Sequence, residues 1–212
     1  MLDLSDSRYR VIDLSFLVVP GANPDRPFEM QRGYLADGTY KMDVTCTHTH
    51  VGTHVEAEAH FFEGGRTIEQ YPPEAFYGRG LLLQVDQGPG EGCITAEYLE
   101  EQLGERLGAG DIIVARNASL APADLQHFTE AAAEYLRKHR MKMLVLGDNL
   151  DLGRTVPEAR RFHELLLREA TIMEIVANLE QISQPEFLLL GLPIRVAGAD
   201  SGWCRALVVE ER

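Results

Sequence analysis

Four of the seven histidines of this chain fall in one short segment, His48-Thr-His-Val-Gly-Thr-His-Val-Glu-Ala-Glu-Ala-His60. Two carboxylates, Glu56 and Glu58, lie among them. Neutral imidazole together with carboxylate is the donor set of Zn²⁺, Mn²⁺ and Fe²⁺ sites. His50 and His54 are four residues apart, the spacing that faces one way on a helix. Val51, Gly52, Thr53 and Val55 are poor helix formers, so an extended chain is the better reading from residue 54 on. In that conformation His54, Glu56, Glu58 and His60 share one face, and Val55, Ala57 and Ala59 share the other. Gly52 permits the turn, or the positive φ, that swings His50 back toward His54. The competing reading is a solvated histidine-rich loop, or core histidines satisfied by hydrogen bonds.

The elements that must position this segment follow from periodicity and turn residues. Arg8 to Leu14 reads as a strand. Residues 18–27 form a Pro/Gly/Asn loop, a candidate rim or lid over a site and equally an ordinary connection. Residues 28–36 and 40–47 read as two strands around the Ala36-Asp-Gly38 turn. Gly78 to Asp86 is a buried strand, and 87–92 a glycine-rich turn that lacks a phosphate-loop pattern. Thr95 caps a helix reaching about Leu107, and Asp111 to Ala115 is a strand. Pro122 opens a helix reaching about His139, which places His127 on a helix. Lys142 to Leu146 is a strand, and Pro157 starts a helix to about Arg168. Short strands follow at Thr171 to Val176, Glu186 to Leu190 and Ala206 to Glu210, and Asp200-Ser-Gly202 reads as a turn. Strands alternating with helices after a strand-rich first third predict a mixed α/β domain spanning residues 1–212.

Composition narrows the partners. The 212 residues carry a formal net charge of −13, and 45% of them are hydrophobic. That balance disfavours a nucleic-acid groove or an anionic membrane surface, and it allows a sizeable core. Residues 1–7 show no basic region followed by an apolar stretch, and no run is long enough to span a membrane. Cys46, Cys93 and Cys204 are odd in number and widely spaced, so neither a disulfide framework nor a Cys-x-x-Cys site is expected. A reducing, cytoplasmic setting is the expectation.

A second ion would need donors from elsewhere in the chain. Glu174 stands in the apolar run Thr-Ile-Met-Glu-Ile-Val, where a carboxylate is costly to bury unless paired or metal-bound. Taken alone, it is a ligand or the partner of an arginine. His163, taken alone, reads as a helix-surface residue.

The segment His50-Val-Gly-Thr-His54-Val-Glu56-Ala-Glu-Ala-His60-Phe resembles the signature H-x-G-T-H-x-[D/E]-x-P-x-H of the cyclase family of metal-dependent hydrolases. Bacterial kynurenine formamidases and isatin hydrolases are members. The resemblance extends along nearly the whole chain. It takes in Val11-Ile-Asp-Leu-Ser15, Phe76-Tyr-Gly-Arg-Gly80, Cys93-Ile-Thr-Ala-Glu97 and Gly147-Asp-Asn-Leu-Asp151. It continues through His163-Glu-Leu-Leu-Leu with Ile172-Met-Glu174-Ile-Val, and Leu192-Pro-Ile-Arg-Val with Cys204-Arg-Ala-Leu-Val. The resemblance implies the mixed-sheet, swivelling β/β/α fold. It implies that His50, His54 and Glu56 hold a first divalent ion, Zn²⁺ or Mn²⁺. Glu56 would bridge to a second ion held also by His163 and Glu174, and His60 would be the catalytic acid/base. The family carries proline where this chain has Glu58, which moves Glu58 out of the ligand set. The formamidases carry Asp where this chain has Glu56. They also place a tryptophan in the N-terminal loop, where this chain has Phe16; its own tryptophan is Trp203.

The implied activity is hydrolysis of a small amide, formamide, lactam or lactone by water activated at the metal, with His60 moving protons. Kynurenine formamidase activity is one specific form of it. A metal-dependent lyase, cyclase or dehydratase is the alternative enzyme class, and a metal-binding protein without turnover is the third reading. No G-x-S-x-G is present to support a serine hydrolase. The expected partner is a small-molecule substrate, and the family resemblance implies a homodimer or homotetramer.

Overall fold

The computed structural model describes residues 7–87 and 92–212. The first-residue readings on 1–6, and most of the 87–92 turn, lie outside that range. Fourteen strands occur among the described residues: β1 (Tyr9–Asp13), β2 (Glu29–Tyr34), β3 (Tyr40–Cys46), β4 (His54–Glu56), β5 (Tyr77–Val85), β6 (Gly92–Ile94) and β7 (Ile112–Asn117), then β8 (Gln126–Phe128), β9 (Met143–Leu146), β10 (Leu150–Asp151), β11 (Thr171–Glu174), β12 (Glu186–Leu190), β13 (Ser201–Trp203) and β14 (Leu207–Glu211). Three α-helices accompany them: α1 (Ala96–Gln102), α2 (Glu130–Lys138) and α3 (Val156–Leu166).

Nine strands form one mixed sheet in the order β1-β14-β12-β5-β7-β9-β11-β4-β13. Its centre, β5-β7-β9-β11, is parallel, and the remaining pairings are antiparallel. This is the mixed α/β architecture expected from the alternation of strands and helices. Strand β7 explains why a parallel centre needs cover on both faces. Ile113 and Ala115 join the helix-side core with Leu99, Leu136, Phe162 and Leu166. Ile112 and Val114 join the opposite core with Val55, Met143, Val145 and Met173.

The helices have local causes. Thr129 caps α2, its hydroxyl accepting from the Ala132 N–H, and Ala132, Ala133 and Leu136 form the buried face. Thr155 caps α3 with a proline in the first turn, and Phe162 and Leu166 bury one stripe four residues apart.

Several boundaries differ from the sequence reading. The helix expected from Pro122 begins only at Glu130; before it come a single 3₁₀ turn and β8, which pairs in parallel with both β6 and β10. His127 is therefore on a buried strand, its Nδ1 donating to the Gly153 carbonyl at 3.1 Å. Helix α1 ends at Gln102 instead of near Leu107; a 3₁₀ turn follows at Gly104–Arg106, beginning on Gly104 with positive φ. The turn expected at 200–202 is a bend at Asp200 leading into β13.

One buried carboxylate holds the sheet's far end. Glu210 on β14 is buried and accepts from Ser183 Oγ at 2.7 Å, from Gln184 N at 3.1 Å and from Arg10 Nε at 2.7 Å. Burial alone would raise its pKa; the hydrogen bonds from Ser183, Gln184 and Arg10 outweigh burial and hold it below the usual carboxylate range. A folded-state pKa below the unfolded value contributes stability above the unfolded pKa of about 4.3, which is lost as pH falls toward the folded value. Glu210→Gln is expected to destabilise the fold by about 1–3 kcal/mol at pH 7. In urea melts, its difference from the parent protein should shrink at pH 4 and below.

Candidate metal centre

Strand β4 is only three residues long, and it is paired on both sides. His54 lies opposite Glu174 of β11 and Trp203 of β13; Glu56 lies opposite Ile172 and Ser201. The two-residue period puts His54 and Glu56 on one face and buries Val55 in the core behind. Cross-strand pairing puts Glu174 on the same face as His54, and its Oε2 is 3.9 Å from His54 Nε2. Gly52 has φ +64, and a Cβ there would collide with the Val18 side chain, so glycine serves both the reversal and the close approach of the 16–28 loop. That reversal returns His50, whose Nδ1 is 3.1 Å from His54 Nε2 and 3.2 Å from Glu56 Oε1.

The extended reading fails beyond Glu56. Residues Glu58–His60 form a 3₁₀ turn. The turn still delivers His60, whose Nε2 is 3.6 Å from Glu56 Oε1. It rotates Glu58 away to accept from Arg66 Nε at 3.1 Å, so Glu58 is not part of the cluster. The reading of His163 as a helix-surface residue also changes. Helix α3 brings His163 Nε2 within 3.6 Å of Glu56 Oε2, while Nδ1 donates to the Ala159 carbonyl. Phe61, next to His60 in sequence, stacks on the His163 ring at 4.5 Å and fixes its plane.

The other five residues implied as ligands or acid/base, His50, His54, His60, His163 and Glu174, thus gather around Glu56. The donor atoms of His50, Glu56 and His60 lie within 4.8 Å of one another, as do those of His54, Glu56 and Glu174. His54 Nδ1 donates to the Gly52 carbonyl at 2.8 Å, which leaves a bare lone pair on Nε2. His163 has the same arrangement, and burial holds its pKa below the ordinary imidazole value, favouring the neutral form. Burial raises the pKa of Glu56, but the close approach of the His50 and His54 rings outweighs it and holds the carboxylate below its usual range. Burial, then repulsion from Glu56, pushes Glu174 up. Glu56 Oε2 is buried and has no hydrogen-bond partner. Lone pairs and carboxylate oxygens therefore face one another across a space that contains no donor for Oε2. A divalent cation satisfies each of these atoms, so the residues fit a metal site.

One member of the site gave no sequence signal. Asp200, just before β13, accepts from His60 Nδ1 at 3.0 Å and from His50 Nε2 at 2.9 Å, both through Oδ2. Its Oδ1 accepts from Thr49 Oγ1 at 2.9 Å. Burial works against ionisation, but the hydrogen bonds with His50, His60 and Thr49 hold Asp200 far below its ordinary pKa. Asp200 therefore orients two rings at once: it presents Nδ1 of His50 and Nε2 of His60 toward Glu56. Asp200→Asn is expected to lower kcat about 10–100-fold, with KM little changed, when steady-state rates are compared at saturating metal.

A family model described as "Putative cyclase" matches residues 12–152 of this chain. The kynurenine formamidase of Paracidovorax citrulli (strain AAC00-1) is 25% identical over 169 residues, which is 75% of this chain and 75% of that protein. Isatin hydrolase A from Ralstonia solanacearum superposes with a TM-score of 0.77 at 20% identity, over 98% of this chain and 94% of that one. Isatin hydrolase A from Labrenzia aggregata bound to benzyl benzoate superposes with a TM-score of 0.77 at 17% identity, over 99% and 96% of the two chains. At these identities, the two superpositions speak for a shared fold.

Proposed function

Because the chain belongs to the cyclase family, we propose that it is a metal-dependent hydrolase opening a carbon–nitrogen bond, other than a peptide bond, in a small amide, formamide or lactam. The observation that carries this reading is the gathering of His50, His54, His163 and Glu174 around buried Glu56, whose Oε2 has no hydrogen-bond partner and faces His163. His50, His54, Glu56, His163 and Glu174 would hold one or two ions, with Zn²⁺ or Mn²⁺ best matched to that donor set. A divalent ion in this place supplies Lewis acidity and makes water a competent nucleophile near neutral pH.

The remaining steps belong to side chains. His60 carries its Nδ1 proton toward Asp200, so Nε2 is the atom free to accept a proton from the attacking water. The same nitrogen then returns that proton to the departing amine. Asp200 stabilises the imidazolium between these events, and Phe61 keeps His163 aligned. The test is turnover of an amide, lactam and lactone panel with added Zn²⁺ or Mn²⁺, run in ¹⁸O-water. Label in the product carboxylate supports hydrolysis; turnover without label shows lyase or dehydratase chemistry instead.

The working form is proposed to be a homodimer. In the β2–β3 hairpin, Met30, Tyr34, Tyr40, Met42 and Val44 share one face by register with Arg32, which lies over the Tyr40 ring, and all five apolar side chains are exposed. A lone two-stranded hairpin is marginal in water, so an apolar face of this kind favours a second copy as cover. Met42→Glu is expected to shift the protein from dimer to monomer in sedimentation velocity. No helix among the described residues is long and apolar enough to cross a membrane. A cytoplasmic location, with a small molecule as partner and neither nucleic acid nor membrane, remains our proposal, supported by the net charge and by three unpaired cysteines.

A further inference from the structure

Beside the metal centre lies a chamber of about 410 Å³, a volume suited to a small organic ligand. Phe16, Val18 and Phe28 of the N-terminal loop form one wall, and Val51, Gly52 and Ile175 form the other. Gly52 and Ile175 connect the chamber directly to the site: the Gly52 carbonyl holds His54, and Ile175 follows Glu174.

Two features of this chamber have no role in the chemistry described above. The first is Arg26, the one cation among the lining residues. Its Nη1 donates to the His50 carbonyl at 2.6 Å, and no carboxylate of the described residues pairs with it. A half-buried guanidinium in an apolar cleft, with most of its donors unused, is a ready partner for a carboxylate.

The second is Ile175, whose φ is +55. A β-branched residue in the left-handed region is a genuine outlier, and the other non-glycine residues there are Arg140, Asn149 and Asn178. The conformation is held by Thr53, whose hydroxyl donates to the Ile175 carbonyl at 2.6 Å. Glycine would remove the strain but would also remove an apolar wall from the chamber. Strain retained next to a metal ligand points to a use for the side chain.

We propose that this chamber takes the non-reacting part of the substrate, and that the substrate is a small amide whose apolar body carries a carboxylate, paired with Arg26 and packed against Ile175. The inference rests on the hydrolase reading for the reacting group, but not for the binding. The carboxylate would be costly to bury in such walls without the guanidinium, and among the described residues no carboxylate lies within ion-pair distance of Arg26.

Phenylacetate and its neutral match, phenylacetamide, are suitable probes for calorimetric titration into the metal-loaded protein. Phenylacetate is expected to bind at least about 10-fold more tightly than phenylacetamide, and Arg26→Gln to abolish that preference. Ile175→Gly, which relieves the backbone, is expected to weaken both probes about 5–10-fold without lowering Tm. The proposal is overturned if the preference for phenylacetate survives in Arg26→Gln, or if Ile175→Gly binds both probes as the parent does. Arg26-dependent binding with no turnover of the amide panel supports the chamber and sinks the hydrolase reading. Turnover with no preference for the carboxylate probe does the reverse.

Discussion

His60→Ala is expected to lower kcat by about 10²–10⁴-fold while the protein keeps its full complement of metal. The asymmetry comes from the geometry. His60 reaches the cluster from a 3₁₀ turn outside β4, its Nδ1 tied to Asp200 and its Nε2 3.6 Å from Glu56 Oε1. His50, His54, Glu56, His163 and Glu174 remain in place without it. Metal analysis of the purified variant, with single-turnover rates on the same sample, checks both halves. A variant that loses metal in proportion to activity would make His60 a ligand instead, as its grouping with His50 and Glu56 permits.

Glu56→Gln is expected to abolish metal retention after dialysis and, with it, activity, by more than about 100-fold. Glu56 is the only residue shared by the two donor groups, and its second oxygen faces His163. A glutamine of the same shape replaces one acceptor oxygen with an N–H₂ and removes the charge. That N–H₂ would satisfy a histidine lone pair and close the place a cation would take. The variant should therefore stay folded, with a Tm near that of the metal-free parent. Inductively coupled plasma analysis and a thermal melt on one preparation test the two statements together. Retained metal at parental stoichiometry would remove Glu56 from the centre of the site.

The histidine segment was legible because its ligands are local. Residues 50, 54 and 56 are brought together by one glycine turn and one strand period, and both leave marks in the sequence. The strand itself was overread: it stops at Glu56, and nothing in Ala57-Glu-Ala-His60 forbids another two extended residues. What stops it is tertiary, since Ala57 N donates to the Asp200 carbonyl and the chain then turns back to Arg66. Asp200 was illegible for a similar reason. Its partners lie 140 and 150 residues away, so no local pattern reports them, and Asp-Ser-Gly reads as a turn on its own. His163 resembled a surface residue because its helix stripe is set by Phe162 and Leu166; only the stacking of Phe61 and the approach of β4 reveal its inward role. The helix expected from Pro122 failed because the better cap, Thr129, lies seven residues later, and the three-residue strand β8 is too short for a period to show.

Strand β4 is laced by backbone hydrogen bonds to β11 on one side and β13 on the other, whereas the outer wall of the chamber is irregular chain from Phe16 to Phe28. Reaction and selectivity are thus carried on separable pieces of the polypeptide. Mutations that lengthen, shorten or recolour the loop change what is admitted while the ligand geometry stays anchored in the sheet. An architecture of this kind diversifies readily: a new substrate range is reached by swapping one surface segment, with the reactive centre inherited intact.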